Sequence, residues 1–316
     1  MTPAPASSPS AVSPQDRAPN RYAIGGTVID VPHLAGGLYV VATPIGNLGD
    51  ITLRALATLA GADLIACEDT RVTRKLLGRY GISTPLTAYH DHNAAKARPI
   101  LLRRLAEGAA IALVSDAGTP LVSDPGYKLV CAAQDAGRAV TALPGASALL
   151  AALAVAGLPT DQFLFAGFLP PKQAARRARI AELAPIPSTI VLFETGPRLA
   201  AALADLAAGL GPRDAAVCRE LTKLHEEVRR APLDALARDY AGGAETRGEF
   251  VVVIAPPADD APGAAEDIDA LLRNALARVS VKDAVGEIAS ATGLPRREIY
   301  QRALALSKDG DDGAAN

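Results

Sequence analysis

From Gly37 onward, short apolar runs take turns with segments whose apolar residues recur at helical spacing. LYVVATP (38–44) leads into TLRALATL (52–59), and ADLIACE (62–68) leads into TRVTRKLLGRYG (70–81), where Gly81 stops the helix. IALVSD (111–116) and AVTALPG (139–145) follow, each with a helix-like segment after it. Strands that alternate with helices predict an α/β fold with a mostly parallel sheet. A second series repeats the theme with DQFLFAGFLP (161–170), STIVLFET (188–195), DAAVCREL (214–221) and GEFVVVIAP (248–256). Helices lie between those strands, for example over 198–208.

Two α/β domains follow from this pattern, at 37–158 and 159–257, divided near Gly157-Leu158-Pro159. Before them, MTPAPASSPSAVSPQDRAPN has too few large apolar residues to build a core, so 1–36 is read as a disordered Pro/Ala/Ser-rich tail. After them come a linker at 258–265, a helical tail domain at 266–307 and a disordered end at 308–316. Ser280 and Asp283 have the spacing of a capping box, and Pro295 suits the first turn of the last helix.

The chain of 316 residues is 49% hydrophobic, enough for sizeable cores, and its net charge of −2 excludes a polycation. A nucleic-acid surface on such a chain is a local patch. Cys67, Cys131 and Cys218 are far apart and sit in apolar contexts, which predicts reduced, packed thiols in a cytoplasmic protein. No apolar stretch reaches the length of a membrane span, and the N-terminus lacks the apolar core of a secretory signal.

The chemistry concentrates where strands end. ATPIGNLGD (42–50) is the first strand-to-helix turn, and it lacks both G-x-x-x-x-G-K-[ST] and G-x-G-x-x-G. It offers Asp50 where a phosphate loop would offer a cation, which favours a ligand without phosphate; the bland alternative is an ordinary strand-to-helix turn. SDAGTPLVSDPGY (115–127) presents Ser115, Asp116, Thr119, Ser123 and Asp124, with Gly118 and Gly126 for backbone shapes other residues avoid. A strand that runs into such a loop is where open α/β sheets hold ligands; the bland alternative is a pair of Asp-initiated turns. LPGASALLAAL (143–153) opens a helix whose first N–H groups, near Ser147 and Ala148, suit a carboxylate, although Ser147 can serve as a cap alone. His90 and His92 lack a convergent third ligand, so no metal site is expected. RELTKLHEE (219–227) is either a solvated charge run or a functional loop. In PPKQAARRAR (170–179), Lys172, Arg176, Arg177 and Arg179 make either a solvated helix face or a phosphate-contacting patch.

Taken in order, LYVVATPIGNLGDIT, EDTR, ALVSDAGTPLVSDPGY, LPGASA, FLFAGFLP, RELTK and RGEFVVVI resemble the ribosomal RNA small-subunit methyltransferase I family, of the tetrapyrrole-methylase-like class. The resemblance runs over 37–256 and continues into the tail at VKDAVGEIASATGLPRREIYQRAL. FETGPRL (193–199) departs from it: Glu194 and Arg198 are present, but the family's His is not. The resemblance implies two α/β domains with the cofactor, S-adenosylmethionine, in the cleft between them, and a homodimer. The implied acceptor is the 2′-hydroxyl of a decoding-centre cytidine of 16S rRNA, in the assembled small ribosomal subunit. Pro44, Ile45, Asp116, Thr119, Ser147 and Ala148 would line the cofactor, and Phe193 would close it from the second domain. A ribose hydroxyl is a weak acid, so a base would help. Glu68 leads the candidates, then Glu220, with Asp69 and Glu226 behind; Asp69 also suits a helix cap. Arg71 and Lys223, with the basic run at 172–179, would hold RNA phosphates. Two rivals stand beside this reading. One is a corrin- or tetrapyrrole-precursor methyltransferase of the same fold. The other is a non-enzymatic nucleic-acid-binding protein with a helix-turn-helix tail.

Overall fold

The computed structural model describes residues 20–257, 262–292 and 294–311. It begins with a hairpin, β1 (Asn20–Ile24) and β2 (Thr27–Val31), closed by Gly25 and Gly26, both at positive φ. That two-residue turn matches the twist of the paired strands. The expectation of a disordered tail through residue 36 is therefore corrected for 20–31; residues 1–19 lie outside the described residues. Tyr22 is the reason the hairpin holds. It is buried among Leu76, Leu77 and Tyr80, and the Ala23 N–H donates to the Tyr80 carbonyl at 2.7 Å.

Five parallel strands form the first sheet: β3 (Gly37–Val41), β4 (Leu64–Cys67), β5 (Leu86–Ala88), β6 (Ala110–Val114) and β7 (Val140–Leu143). Their spatial order is β5-β4-β6-β3-β7. The hairpin, α1 (Leu53–Gly61) and α2 (Thr70–Arg79) cover one face, and α3 (Ala94–Ala106) and α4 (Tyr127–Asp135) cover the other. Both faces of β6 are therefore buried, which is why IALV reads as an unbroken apolar run.

The second sheet is mixed. It comprises β8 (Phe163–Phe168), β9 (Thr189–Thr195), β10 (Asp214–Arg219), β11 (Glu227–Pro232) and β12 (Glu249–Ile254), ordered β11-β10-β12-β9-β8. Only β8 and β9 run parallel. One face packs on α6 (Gln173–Leu183), α7 (Gly196–Leu210) and α8 (Leu233–Ala241). The other face receives α5 (Ala148–Ala156), whose Ala152, Leu153 and Ala156 meet Val191, Ala216 and Val253. That helix belongs by chain order to the first sheet but buries its apolar side on the second, so it fixes the carboxyl ends of the first sheet against the second.

The tail is three helices, α9 (Pro262–Leu276), α10 (Val281–Thr292) and α11 (Arg296–Asp311), around Leu272, Ala284, Ile288 and Ile299. α9 starts inside the expected linker and α11 runs past the expected end at 307. Residues 258–261 and 312–316 of those two segments lie outside the described residues. Ser280 and Asp283 bond reciprocally as a cap, the Asp283 N–H donating to Ser280 Oγ at 3.3 Å.

Candidate active site

The strand order sorts the loops. The exits of β6, β3 and β7 are neighbours and face the second sheet, while the exits of β4 and β5 lie to the other side of β6. Short bonds tie the first group together. The Thr43 N–H donates to the Gly118 carbonyl at 2.9 Å and the Gly118 N–H to the Thr43 carbonyl at 3.0 Å. Thr43 Oγ1 donates to the Ser115 carbonyl, and Thr119 Oγ1 reaches the Ala146 carbonyl of the loop after β7 at 3.3 Å.

Between these loops and the second sheet lies a cavity of about 280 Å³, close to the lower bound of ordinary small-ligand pockets, about 300 Å³. Ile45, Thr119, Ser147 and Ala148 line it from the first sheet, and Phe168, Phe193 and Lys223 from the second. Phe193 is held edge-to-face by Phe165 and Phe168, with ring centroids 4.8 and 5.7 Å away. Ser147 caps α5, accepting the Leu150 N–H at 3.5 Å, and its neighbouring N–H groups lie at the cavity wall.

Backbone strain marks the same place. Four described non-glycine residues have left-handed backbone: Leu121 (φ 74°) and Ser123 (φ 63°) in one loop, Glu220 (φ 49°) and Thr222 (φ 67°) in another. Both loops line the cavity, from opposite sides. Such conformations cost about 1–3 kcal/mol each and persist where the surroundings over-determine them, often at functional sites.

The 220–223 turn carries a clamp. Lys223 Nζ donates to Glu220 Oε1 at 2.8 Å and to Glu249 Oε2 at 2.9 Å, while Glu220 Oε1 also accepts the Glu249 N–H at 2.9 Å. Burial works against both charges, but these bonds outweigh it: the Glu220 carboxyl is held below its usual range and the Lys223 ammonium above its own. The Lys223 stem lies on Gly46, where a Cβ would meet Lys223 Cγ at 2.4 Å. Glycine at 46 is thus required for the second sheet's loop to seat on the first strand's exit. Cys218 lines the cavity as a thiol, its pKa pushed up to about 12 by burial, with Glu226 adding to the effect.

A second, more open cavity of about 490 Å³ lies over the exits of β4 and β5. Glu68, Arg71, His90, His92 and Asp116 are among its lining. Asp116 Oδ1 accepts the Asp69 N–H at 2.9 Å, so the β6 exit divides the two cavities: Asp116 faces one, Gly118 and Thr119 the other. Burial, then the charges of Asp116 and Asp124, push the Glu68 carboxyl up. Among the described residues no group of three or more His, Cys, Asp or Glu is placed to hold a metal ion.

Five of the seven expected cofactor residues, Ile45, Thr119, Ser147, Ala148 and Phe193, come together in the first cavity. Pro44 is buried in the turn and Asp116 turns to the second cavity, so neither lines it. Glu68 also faces the second cavity. Glu220 is corrected as a base: it is engaged by an ammonium and an amide N–H, and its lowered pKa makes it a poor proton acceptor. Asp69 caps α2 through the Arg71 N–H at 2.8 Å and grips the exposed Arg71 guanidinium at 2.6 Å. Arg176 is corrected as a phosphate contact. It is 5% exposed, with Nε donating to Asp205 at 2.7 Å and Nη1 to the Pro171 carbonyl. Arg177 shares Asp205 and Arg179 pairs with Glu182, both on the accessible side, and Lys172 is exposed just before α6. Phe168, Cys218 and Glu249 line the cavity without having been site candidates in the sequence, and Asp124, presented by its loop, had been given no role there. Only Asp124 carried a signal, its place in the Asp/Gly/Pro loop.

The family described as Tetrapyrrole (Corrin/Porphyrin) Methylases matches residues 37–237, and the RsmI C-terminal HTH domain matches 262–307. A relative from Mesorhizobium japonicum is 51% identical over 294 residues, covering 92% of this chain and 100% of its own. One from Erythrobacter litoralis is 52% identical over 275 residues, covering 86% and 96%. Both are named Ribosomal RNA small subunit methyltransferase I. Two solved structures share the fold. A cobalt precorrin-4 methyltransferase of cobalamin biosynthesis has TM-score 0.51 at 18% identity, covering 69% of this chain and 94% of that one. A diphthine synthase has TM-score 0.52 at 16% identity, covering 69% and 89%.

Proposed function

Because the chain belongs to the ribosomal RNA small subunit methyltransferase I family, we propose that it transfers the methyl group of S-adenosylmethionine to ribosomal RNA. The acceptor in this reading is the ribose 2′-hydroxyl of a decoding-centre cytidine of 16S rRNA, in the assembled small subunit. A cytoplasmic homodimer carries out the reaction. The observation that supports the reading most is the cavity between the two sheets, walled by a phosphate-free loop set and held by cross-loop bonds.

The residues present fit the donor. Ile45, Phe168 and Phe193 offer apolar walls for a flat ring and keep water from it. The first N–H groups of α5, beside Ser147 and Ala148, suit the donor's carboxylate. Thr119, on the cavity wall with its hydroxyl proton on the Ala146 carbonyl, would accept a hydrogen bond from a ribose hydroxyl. S-adenosylmethionine, when bound, supplies a methyl group already activated on a sulfonium sulfur, so the chain's task is mainly alignment and removal of one proton. Lys223 faces the cleft with Glu220 and Glu249 taking two of its three ammonium N–H groups, so the third can take a phosphate oxygen. Arg71 and Lys172 are exposed cations for the flanking backbone. Within 193–199, which carries no histidine, Glu194 and Arg198 form an ion pair 3.1 Å apart.

The test is transfer of labelled methyl from S-adenosylmethionine to small ribosomal subunits, to naked 16S rRNA and to a tetrapyrrole precursor. The reading expects label in RNA, on ribose after digestion to nucleosides, with subunits preferred. Label in the tetrapyrrole alone supports the corrin-type rival. No turnover with any acceptor, beside intact RNA binding, supports the non-enzymatic one.

A further inference from the structure

We propose that Asp124 is the proton acceptor for the hydroxyl that receives the methyl group, an assignment that rests on the methyl-transfer reading above. A base for this step stands in the cavity that holds the donor, within hydrogen-bond reach of an oxygen about 3–3.5 Å from the methyl carbon. Three carboxylates line that cavity: Asp124, Glu194 and Glu249. Glu194 is 4% exposed, accepts the Thr195 N–H at 2.9 Å and pairs with Arg198 at 3.1 Å. Glu249 is engaged by Lys223. Asp124 forms no ion pair among the described residues, and the Ser115 hydroxyl beside it donates to the Ala117 and Gly118 carbonyls. The other titratable groups at the wall are unsuited: Lys223 is kept as an ammonium and Cys218 as a thiol.

The loop around Asp124 lies close against the first sheet. Ser123 has φ 63° and Gly126 has φ 139°, and a Cβ at Gly126 would meet Leu113 Cδ2 at 2.9 Å, so the loop is pressed onto the end of β6. Asp124 lines the cavity from this loop. Its surroundings also favour proton uptake. Burial comes first, the nearby Ser115 hydroxyl opposes it, and the Asp116 charge adds to it, with a net rise above the ordinary aspartate value. Glu68 belongs to the same group of charges, and across the cleft stand Lys223, Glu249 and Glu194. In the step itself the hydroxyl proton passes to Asp124 as the oxygen–methyl bond forms. The methyl–sulfur bond breaks with its electron pair on sulfur, leaving a neutral thioether, and Asp124 returns the proton to water.

The experiment is single-turnover methylation of small ribosomal subunits across pH by the parent, Asp124→Asn, Asp124→Glu and Glu68→Gln, with donor affinity measured by calorimetry. Asp124→Asn is expected to bind the donor as the parent does and to lose about 10²–10⁴-fold in rate. The parent's rate is expected to rise with pH through an apparent pKa above that of an ordinary aspartate. That limb vanishes in Asp124→Asn, and Asp124→Glu restores part of the rate. An Asp124→Asn enzyme at the parental rate, or one that keeps the limb while Glu68→Gln loses it, overturns the assignment and leaves the function reading intact. A parent that methylates no acceptor overturns both. Should the Asn variant fail to fold, the parent's profile decides: a rate flat between about pH 4 and 8 contradicts a carboxylate base.

Discussion

Arg176 shows how far a single residue can be read. The run Lys172, Arg176, Arg177, Arg179 looks like a basic patch, but Arg176, Ile180 and Leu183 share one helical stripe, and the structure buries all three. That stripe is visible in the sequence. Its counter-charge is not, because Asp205 comes from α7 and the two meet only when the helices pack. Asp205 is 3% exposed, and despite burial the two guanidiniums hold its carboxyl below the ordinary range. Removing one partner of a buried pair costs about 3–5 kcal/mol, and here the lower end applies because Arg177 still reaches Asp205. Arg176→Ala is therefore expected to lower stability by about 3 kcal/mol in urea unfolding, with the salt dependence of RNA binding unchanged. Parental stability with a flattened salt slope would restore Arg176 to the RNA surface. Asp124 lies at the opposite limit. Its loop was conspicuous in sequence, but its lack of a cation partner appears only when Glu194 and Glu249 are seen to be engaged.

Among the elements, the buried parallel strands were legible because burial on both faces writes an unbroken apolar run, as in β6. What escaped is what lies at edges. β5 is three residues long, and β11 alternates half-buried and exposed residues in a charged stretch. The β1–β2 hairpin is mostly exposed and follows a Pro-rich tract, although Gly25-Gly26 between apolar residues was a hairpin signal. Its single deep anchor, Tyr22, gives a test. Tyr22→Ala is expected to cost about 3 kcal/mol and lower the melting temperature, as a buried aromatic does. An unchanged melting curve would mean that the hairpin adds nothing to the domain. α5 teaches a related lesson. Its sequence is apolar nearly all round, which signals burial but does not say on which sheet.

At the scale of the molecule, two strained loops from two sheets close on one cavity, and α5 and the Lys223–Gly46 contact hold them in register. The sequence marks both loops as unusual. Their meeting depends on the β5-β4-β6-β3-β7 order, which brings the exits of β6, β3 and β7 together and sends the β4 exit, with Glu68, to the neighbouring cavity. A strand order of this kind is set by long-range pairing and leaves no local trace. In the proposed function this cleft methylates a ribose of small-subunit RNA. Mapping 2′-O-methylation along 16S rRNA tests it most directly, in cells lacking the chain, in cells with it restored and in cells carrying Asp124→Asn. One ribose-methylated cytidine in the decoding region is expected to disappear without the chain, return with the parent and stay absent with the variant. A methylation map that is the same in all three strains would contradict it.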